Sequence, residues 1–380
     1  MKNTSVFVLA LLFAIIGSLV QLGSSQNSVP QSDVDSRGVT KSGGFPKCTD
    51  PLSDLPVPDA PHGLYVLLFP GKKALLEKKK QYVLNNPIVC GGDVYVQWTE
   101  VDRGPGASPR YDWSSVEKQM EPWLNAKKRV NFIVWAVGYG NQQRSTPEYV
   151  MSKVPKVSCP LFGTVPVFYD KEYMRAYQEF MAAFVKQYES NSSVGYIRFG
   201  LGAGGESFPA CRYAMQKYGW TEDRWKNYIL EMLDYEKSLN SRKQLMSSMI
   251  GQLPGISRDI AAHAAQLGIG IGIQGLAKDD VDAYSRGAPC KGDWCAAFDK
   301  FHGKAPLELQ TLSKTEAGGS GTGSLVDLLQ FGLQRHAQIF ELYLQDWLVA
   351  YDPGDPLYGE FHADYQRGLE STAKVVGGAP

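Results

Sequence analysis

The sequence predicts an α/β protein, a closed (β/α)8 TIM barrel in a single domain. Short apolar runs bounded by turn residues alternate along the chain with longer stretches that have helical spacing. Eight such runs separated by helical stretches fit parallel strands joined by right-handed crossovers. The 380-residue chain leaves about 320 residues for this domain, and such barrels take about 250 residues or more. A doubly wound open sheet is the alternative, although no Gly-x-Gly-x-x-Gly turn follows the first strand.

The predicted strands are rich in β-branched and aromatic residues. They are residues 64–69, 93–98, 130–137, 194–201, 244–250, 269–274, 305–309 and 339–347. The helical stretches repeat apolar residues every three or four positions. They are residues 116–126, 171–188, 224–239, 258–267, 295–301, 325–336 and 363–375.

The N-terminus has the layout of a secretory signal peptide. Residues 1–25 begin with Lys2, continue through the apolar stretch 6–20 and end in small residues. The apolar stretch is shorter than the roughly 18–20 residues that a membrane span needs, so a membrane anchor is the less favoured alternative. We therefore expect a secreted protein, with 26–61 as an extended arm rich in Ser, Gly, Pro and Asp and 62–380 as the barrel.

Six cysteines in an exported chain favour three disulfides. The predicted pairs are Cys290 with Cys295, Cys159 with Cys211, and Cys48 with Cys90. Fifteen connectivities are compatible with six cysteines, so the pairing itself stays open at this point.

Composition argues against several classes of partner. The 39 basic and 39 acidic residues cancel, and no basic block is present to attract nucleic acid. No Cys-x-x-Cys motif occurs and the five histidines are scattered, so we expect neither a metal site nor a cofactor. The 8 tryptophans and 20 tyrosines suit a sugar-binding cleft, but a large core uses aromatic residues too. Nothing in the sequence indicates an oligomeric state.

Glu206 ends a glycine-rich run that directly follows the fourth predicted strand. Loops at this end of the strands build the active face of a barrel. A glycosidic bond needs an acid to protonate its leaving oxygen, and Glu206 is placed to be that acid. The alternative is a glutamate that caps the next helix or pairs with Arg212.

Glu308 lies inside the seventh predicted strand, in Leu307-Glu308-Leu309-Gln310. Because side chains alternate along a strand, Glu308 and Gln310 share one face and the leucines the other. We expect the leucines to meet the helices and Glu308 to face the barrel interior near its top. A carboxylate there needs water or hydrogen bonds, which favours a catalytic role. The alternative is a buried partner for Arg198.

A family resemblance adds to this interpretation. The phrases that carry it are Val94-Tyr95-Val96-Gln97-Trp98, Arg110-Tyr111-Asp112-Trp113, Phe132-Ile133-Val134-Trp135 and Thr146-Pro147-Glu148-Tyr149-Val150. They resemble the region of the second and third strands in clan A retaining glycosidases, notably the β-galactosidase-like families. The resemblance implies an acid/base glutamate after strand four, matched by Glu206, and a nucleophile at the end of strand seven, matched by Glu308. It also implies a tryptophan beneath the cleaved sugar at the end of strand eight, matched by Trp347.

One position departs from the family pattern. The clan has Asn immediately before the acid/base glutamate to hold the 2-hydroxyl of the sugar, and this chain has Gly205. Either another residue makes that contact, or the substrate differs at that carbon, or the protein binds sugar without cleaving it.

Further residues at strand ends are candidates for binding the carbohydrate. Trp98 and Trp135 offer rings for stacking, with core packing as the equal alternative, and Gln274 and Gln310 offer amides for hydroxyl groups. The sequence thus predicts a secreted retaining glycosidase that acts on oligo- or polysaccharides. A non-catalytic carbohydrate-binding barrel is the alternative, and the absence of a Gly-x-Ser-x-Gly elbow disfavours an esterase.

Overall fold

The computed structural model describes residues 61–68, 73–138, 145–251, 253–312 and 323–377. Ten strands are present in these ranges: β1 Gly63–Leu67, β2 Val89–Gln97, β3 Arg129–Trp135, β4 Lys156–Cys159, β5 Gly163–Pro166, β6 Val194–Phe199, β7 Gln244–Ser248, β8 Gly270–Leu276, β9 Leu307–Thr311 and β10 Ile339–Tyr343. Eight of them form a closed parallel barrel in the order β1-β10-β9-β8-β7-β6-β3-β2. The predicted barrel is confirmed.

Thirteen α-helices accompany the strands in the described ranges. They are α1 Lys73–Val83, α2 Trp98–Val101, α3 Ser114–Asn125, α4 Glu148–Met151, α5 Lys171–Tyr188, α6 Arg212–Met215, α7 Glu222–Ser238, α8 Pro254–Leu267, α9 Lys278–Ser285, α10 Trp294–Phe301, α11 Leu325–Gln334, α12 Leu344–Tyr351 and α13 Tyr358–Val376. Side-chain caps fix where some of them begin. Asp170 accepts hydrogen bonds from the first turn of α5, and Thr221 accepts one from the N–H of Arg224 in α7.

The main hydrophobic core lies between the strands and the helices. Helix α5 turns a face of buried aromatic rings toward the sheet, including Tyr177, Phe180 and Phe184. Trp98 belongs to this outer layer, where its ring stacks on Phe180 with centroids 5.5 Å apart. The barrel interior holds smaller apolar clusters, one of which surrounds Tyr95 and Trp135. The space that these clusters leave inside the barrel is occupied by polar and charged side chains.

Several parts of the chain differ from the sequence prediction, among them Trp98, which is predicted to end the second strand and instead begins α2. The eighth strand ends at Tyr343, and residues 344–347, predicted as strand, begin helix α12. A short apolar run is compatible with either structure, so periodicity alone extended the strand too far. The segment between β3 and α5 contains the antiparallel hairpin β4–β5, a region for which no strand is predicted.

Two of the three predicted disulfides are present. Cys159 in β4 pairs with Cys211, which directly precedes α6, and Cys290 pairs with Cys295. Cys48, the predicted signal peptide and nearly all of the predicted arm lie outside the described residues. Across the described ranges, no helix combines the length and the apolar character needed to cross a membrane.

The two disulfides close loops of very different length, 52 and 5 residues apart in sequence. A longer loop loses more entropy when it is closed in the unfolded chain. We expect Cys159→Ala with Cys211→Ala to lower the free energy of unfolding by about 4 kcal/mol, and Cys290→Ala with Cys295→Ala by about 2 kcal/mol. Urea unfolding of both double variants measures the two losses. An equal or larger loss from the short loop would contradict this account.

Candidate active site

Glu206 lies in a tight loop that follows β6. The loop folds back on itself, since the N–H of Gly202 donates to the carbonyl of Glu206 at 2.6 Å. Gly204 and Gly205 have φ values of 69° and 76°, in the region that favours glycine. A Cβ on Gly205 would lie 2.6 Å from a methyl carbon of Ile133 and 2.8 Å from the ring of Trp135. A side chain at this position would therefore clash with both neighbours in the observed loop conformation.

Four hydrogen bonds to other elements hold this loop in place. Tyr177 Oη donates to Gly200 O at 3.0 Å, Tyr228 Oη to Leu201 O at 2.8 Å, Trp225 Nε1 to Ser207 O at 3.1 Å, and Ser207 N to Ser248 Oγ at 2.8 Å. The donors and acceptors come from α5, α7 and β7, and all of them are buried. The disulfide at Cys211 anchors the chain a few residues further on. The Glu206 backbone is therefore fixed from several sides.

The Glu206 side chain is partly exposed, and no described residue donates a hydrogen bond to its carboxylate or forms an ion pair with it. Helix α6 begins only at Arg212, so Glu206 does not cap it. Burial raises the pKa of Glu206 to about 7, against the opposing charges of Arg198 and Lys291. A carboxyl group that keeps its proton to neutral pH is suited to act as a general acid.

Glu308 faces the barrel interior, as the alternation in its strand predicts. It is fully buried at 0% exposure, and its Oε2 accepts hydrogen bonds from Arg198 Nη1 at 2.9 Å and Gln274 Nε2 at 3.2 Å. Gly272 makes room for it, because a Cβ there would lie 2.0 Å from Oε2. Glu308 is the second residue of β9, so it lies deeper than the strand-end position that the resemblance implied. The predicted alternative, a link to Arg198, is also present.

Burial also raises the pKa of Glu308, to about 8. Arg198 opposes this shift, whereas the negative charges of Asp93 and Glu206 add to it. Glu206 and Glu308 therefore lie within electrostatic reach of each other, with Arg198 acting on both. Since both carboxyl groups titrate near neutral pH, the pair retains a proton there. Arg198 lowers the pKa of both groups, and Glu308, which has the higher pKa, holds the shared proton at pH 7.

Two further carboxyl groups lie in the same interior. Arg198 Nη1 also donates to Glu341 Oε2 at 3.1 Å, and Tyr196 Oη donates to Asp93 Oδ1 at 3.4 Å. Burial raises the pKa of Asp93 to about 7 and raises that of Glu341 well above its usual range. The sequence analysis missed both residues as site candidates. The strand alternation that singled out Glu308 applies equally to Phe340-Glu341-Leu342 in β10.

The structure brings three of the five predicted sugar-binding residues to this interior. Gln274 contacts Glu308, and Gln310 accepts from Arg198 Nη2 at 3.3 Å. Trp135 is the last residue of β3 and packs edge-on against Tyr95.

The other two predicted sugar-binding residues lie elsewhere. Trp98 and Trp347 are both 0% exposed, in α2 and α12. The placement of Trp347 at the end of strand eight is wrong because that strand ends at Tyr343. Tyr343 occupies the position instead, and its hydroxyl accepts a hydrogen bond from Gln310 Nε2 at 3.3 Å.

Acidic groups are abundant here, but they do not form a metal site. Among the described residues, no three His, Cys, Asp or Glu side chains are arranged to hold a metal ion.

Comparison with known proteins supports the fold. No family model and no curated protein matches the sequence. Among solved structures, the β-amylase catalytic domain from Paenibacillus polymyxa is similar, with TM-score 0.61 and 13% identity over 82% of this chain and 98% of that chain. An endo-β-1,4-xylanase from Gloeophyllum trabeum has TM-score 0.51 and 11% identity, and the match covers 82% of this chain and 97% of the xylanase.

A β-galactosidase from the psychrophilic Marinomonas ef1 has TM-score 0.52 and 12% identity. That match covers 83% of this chain but only 59% of the β-galactosidase. The predicted resemblance to barrel glycoside hydrolases is thus confirmed in the fold that the chain shares with them.

Glu206 makes a testable contribution to the pH dependence of stability. Its pKa in the folded protein, about 7, exceeds the ordinary value of 4.5. The stability that the protonated Glu206 contributes is therefore fully present below pH 4.5 and is lost as the pH rises through 7. Glu206→Gln removes this titration. Between pH 4 and pH 8, we expect the free energy of unfolding of the variant to rise by about 1–2 kcal/mol relative to that of the wild type. This is less than the full pKa shift would give, because the side chain is partly exposed.

Denaturant unfolding at several pH values measures this gain. Glu231→Gln, at an exposed position of α7, is the matched control and should follow the wild type throughout. If the Glu206→Gln and wild-type curves also ran parallel, the raised pKa of Glu206 would be ruled out.

Proposed function

We propose that this protein is a secreted retaining glycoside hydrolase that cleaves O-glycosidic bonds of oligo- or polysaccharides by double displacement. The observation that carries the proposal is that Glu206, in the loop after β6, and Glu308, in the barrel interior, lie within electrostatic reach of each other, each with a pKa near neutrality and each under the influence of Arg198. Two carboxyl groups of unequal environment are what glycoside hydrolysis requires. The shared fold with solved glycoside hydrolases supports the same class.

Glu308 is assigned as the nucleophile. Its Oε2 is held by Arg198 and Gln274, whereas no described residue binds its Oε1. In the first step Oε1 attacks the anomeric carbon, and the bond from that carbon to the leaving oxygen breaks. The contact with Arg198 lowers the pKa of Glu308 and fixes its orientation, and the reacting form is the one in which Glu308 is ionised and Glu206 is protonated.

Glu206 is assigned as the acid and then the base. It transfers its proton to the leaving oxygen as the glycosyl–enzyme bond forms. In the second step it takes a proton from water, whose oxygen attacks the anomeric carbon and releases Glu308. The partly exposed position and the absence of a hydrogen-bond partner among the described residues leave Glu206 free to contact both the leaving group and water.

The surrounding polar groups are suited to orient a sugar. Gln274 and Gln310 present amides beside Glu308, and Tyr343 stands at the end of the next strand. These residues replace Trp98 and Trp347 as the sugar contacts in this proposal. Because Gly205 offers no side chain, this proposal assigns recognition of the 2-position of the sugar to one of the amides or to Tyr343.

Export from the cell belongs to the same proposal. The N-terminal pattern predicts a signal peptide, and the two disulfides of the barrel are compatible with an oxidising compartment.

A carbohydrate-binding barrel without catalysis is the second candidate function. The complete burial of Glu308 and its ion pair with Arg198 favour this alternative. Such a protein would bind sugar in the barrel mouth and release no product.

Two variants separate the assigned roles. Because Glu308→Gln removes the nucleophile, we expect it to lower kcat at least about 1000-fold on aryl glycosides and polysaccharides while sugar binding persists. Glu206→Ala should lose about 100-fold or more on natural linkages and far less on aryl glycosides whose leaving group needs no protonation. Product release by each variant across a panel of substrates measures both effects.

Glu231→Gln serves as the control and should retain wild-type turnover. Full activity of Glu308→Gln would reject its role, and equal losses on both substrate types would reject the acid role of Glu206. Binding without any product from the wild type would favour the non-catalytic alternative.

A further inference from the structure

The proposed reaction does not use two carboxyl groups of the barrel interior, Asp93 and Glu341, and of these Glu341 in β10 forms an ion pair with Arg198. It is fully buried, and it shares a nitrogen of Arg198 with Glu308: Nη1 lies 3.1 Å from Glu341 Oε2 and 2.9 Å from Glu308 Oε2. The second terminal nitrogen, Nη2, donates to Gln310 Oε1 at 3.3 Å. The guanidinium is therefore oriented by three acceptors on two adjacent strands.

The charges in this space do not balance if every group is ionised. The titratable and charged groups that face Glu341 are Arg198 from β6, Glu308 from β9, Asp93 and Tyr95 from β2, Tyr65 from β1 and Tyr343 from β10. Three buried carboxylates would surround a single guanidinium. Taking an uncompensated carboxylate out of water is so costly that a buried acid keeps its proton instead.

Glu341 is the group best placed to keep that proton. Both glutamates have one buried oxygen without a partner among the described residues. Glu308 Oε2, however, accepts two hydrogen bonds, from Arg198 at 2.9 Å and from Gln274 at 3.2 Å, whereas Glu341 Oε2 accepts one, from Arg198 at 3.1 Å, so the charge is better stabilised on Glu308. An ionised Glu341 would compete with Glu308 for the guanidinium. An uncharged one accepts the same hydrogen bond and leaves the positive charge to Glu308.

We propose that Glu341 is a positioning residue of this site, which as an uncharged carboxylic acid anchors Arg198 so that its charge acts on Glu308. This inference rests on the proposed role of Glu308 as nucleophile. It gives Arg198 one charged partner and one neutral partner, and it makes the ionisation of Glu308 depend on a side chain that never contacts the sugar.

Two substitutions of Glu341 test this assignment. Glu341→Gln keeps an oxygen for Arg198 and carries no charge, so we expect kcat within about twofold of the wild type and the same acid limb in the pH profile of kcat/KM. Glu341→Leu removes the acceptor and frees Arg198 to move away from Glu308. We expect it to lower kcat about 10- to 100-fold, with KM little changed and the acid limb displaced to higher pH.

A matched control comes from Glu236 of α7, another fully buried glutamate, which has no hydrogen-bond partner among the described residues and lies outside the barrel interior. Glu236→Gln should change neither kcat nor the acid limb. The proposal is overturned if Glu341→Gln loses as much activity as Glu341→Leu, which would mean that Glu341 acts as an anion. It is also overturned if Glu341→Leu keeps the wild-type kcat and acid limb.

A second readout does not depend on turnover. If Glu341 is uncharged in the folded protein and ionised in the unfolded chain, the stability of Glu341→Gln relative to the wild type increases as the pH rises above about 4.5. A difference that does not vary with pH would overturn the uncharged state. If the wild type cleaved no glycoside, the proposed function would fail, and these unfolding curves alone would decide the protonation of Glu341.

Discussion

The guanidinium of Arg198 lies inside the barrel, where it contacts Glu308, Glu341 and Gln310. A closed barrel has limited interior volume, and side chains normally fill it. Here glycines at positions such as Gly272 open space in the wall for a charged cluster. Burial raises the pKa values of these carboxyl groups, and the charge of Arg198 opposes the rise for Glu308, Asp93 and Glu206. The proposed acid and nucleophile both derive their chemistry from this cluster.

The outer layer of the molecule holds the loop that carries Glu206 in place. Tyr177 and Tyr228 belong to the helices, yet their hydroxyl groups bond the backbone just before Glu206. Aromatic residues that first serve the core thus also position the loop. Gly205 completes the arrangement, since only a residue without a side chain fits between the loop and Trp135. The glycine that departs from the family pattern is a packing requirement of this barrel.

Strand periodicity explains which features could be predicted from the sequence. Alternation in Leu307-Glu308-Leu309-Gln310 places Glu308 in the interior, and the structure agrees. The same rule applied to β2 and β10 would have found Asp93 and Glu341, but their strands contain enough apolar residues to resemble ordinary core. The depth of Glu308 and the end of β10 depend on register and tertiary packing, which a local pattern does not contain. For that reason Trp347 was assigned to the mouth that Tyr343 occupies.

The central claim is that Glu308 forms a covalent bond to the sugar. A 2-deoxy-2-fluoro glycoside with a good leaving group reacts in the first step and resists the second, so the glycosyl–enzyme accumulates. Peptide mass spectrometry after treatment with such reagents of several sugar configurations locates the bond. This account predicts one added sugar on the peptide that contains Glu308 and none in Glu308→Gln. A label on another carboxylate, or turnover without any label, would contradict it.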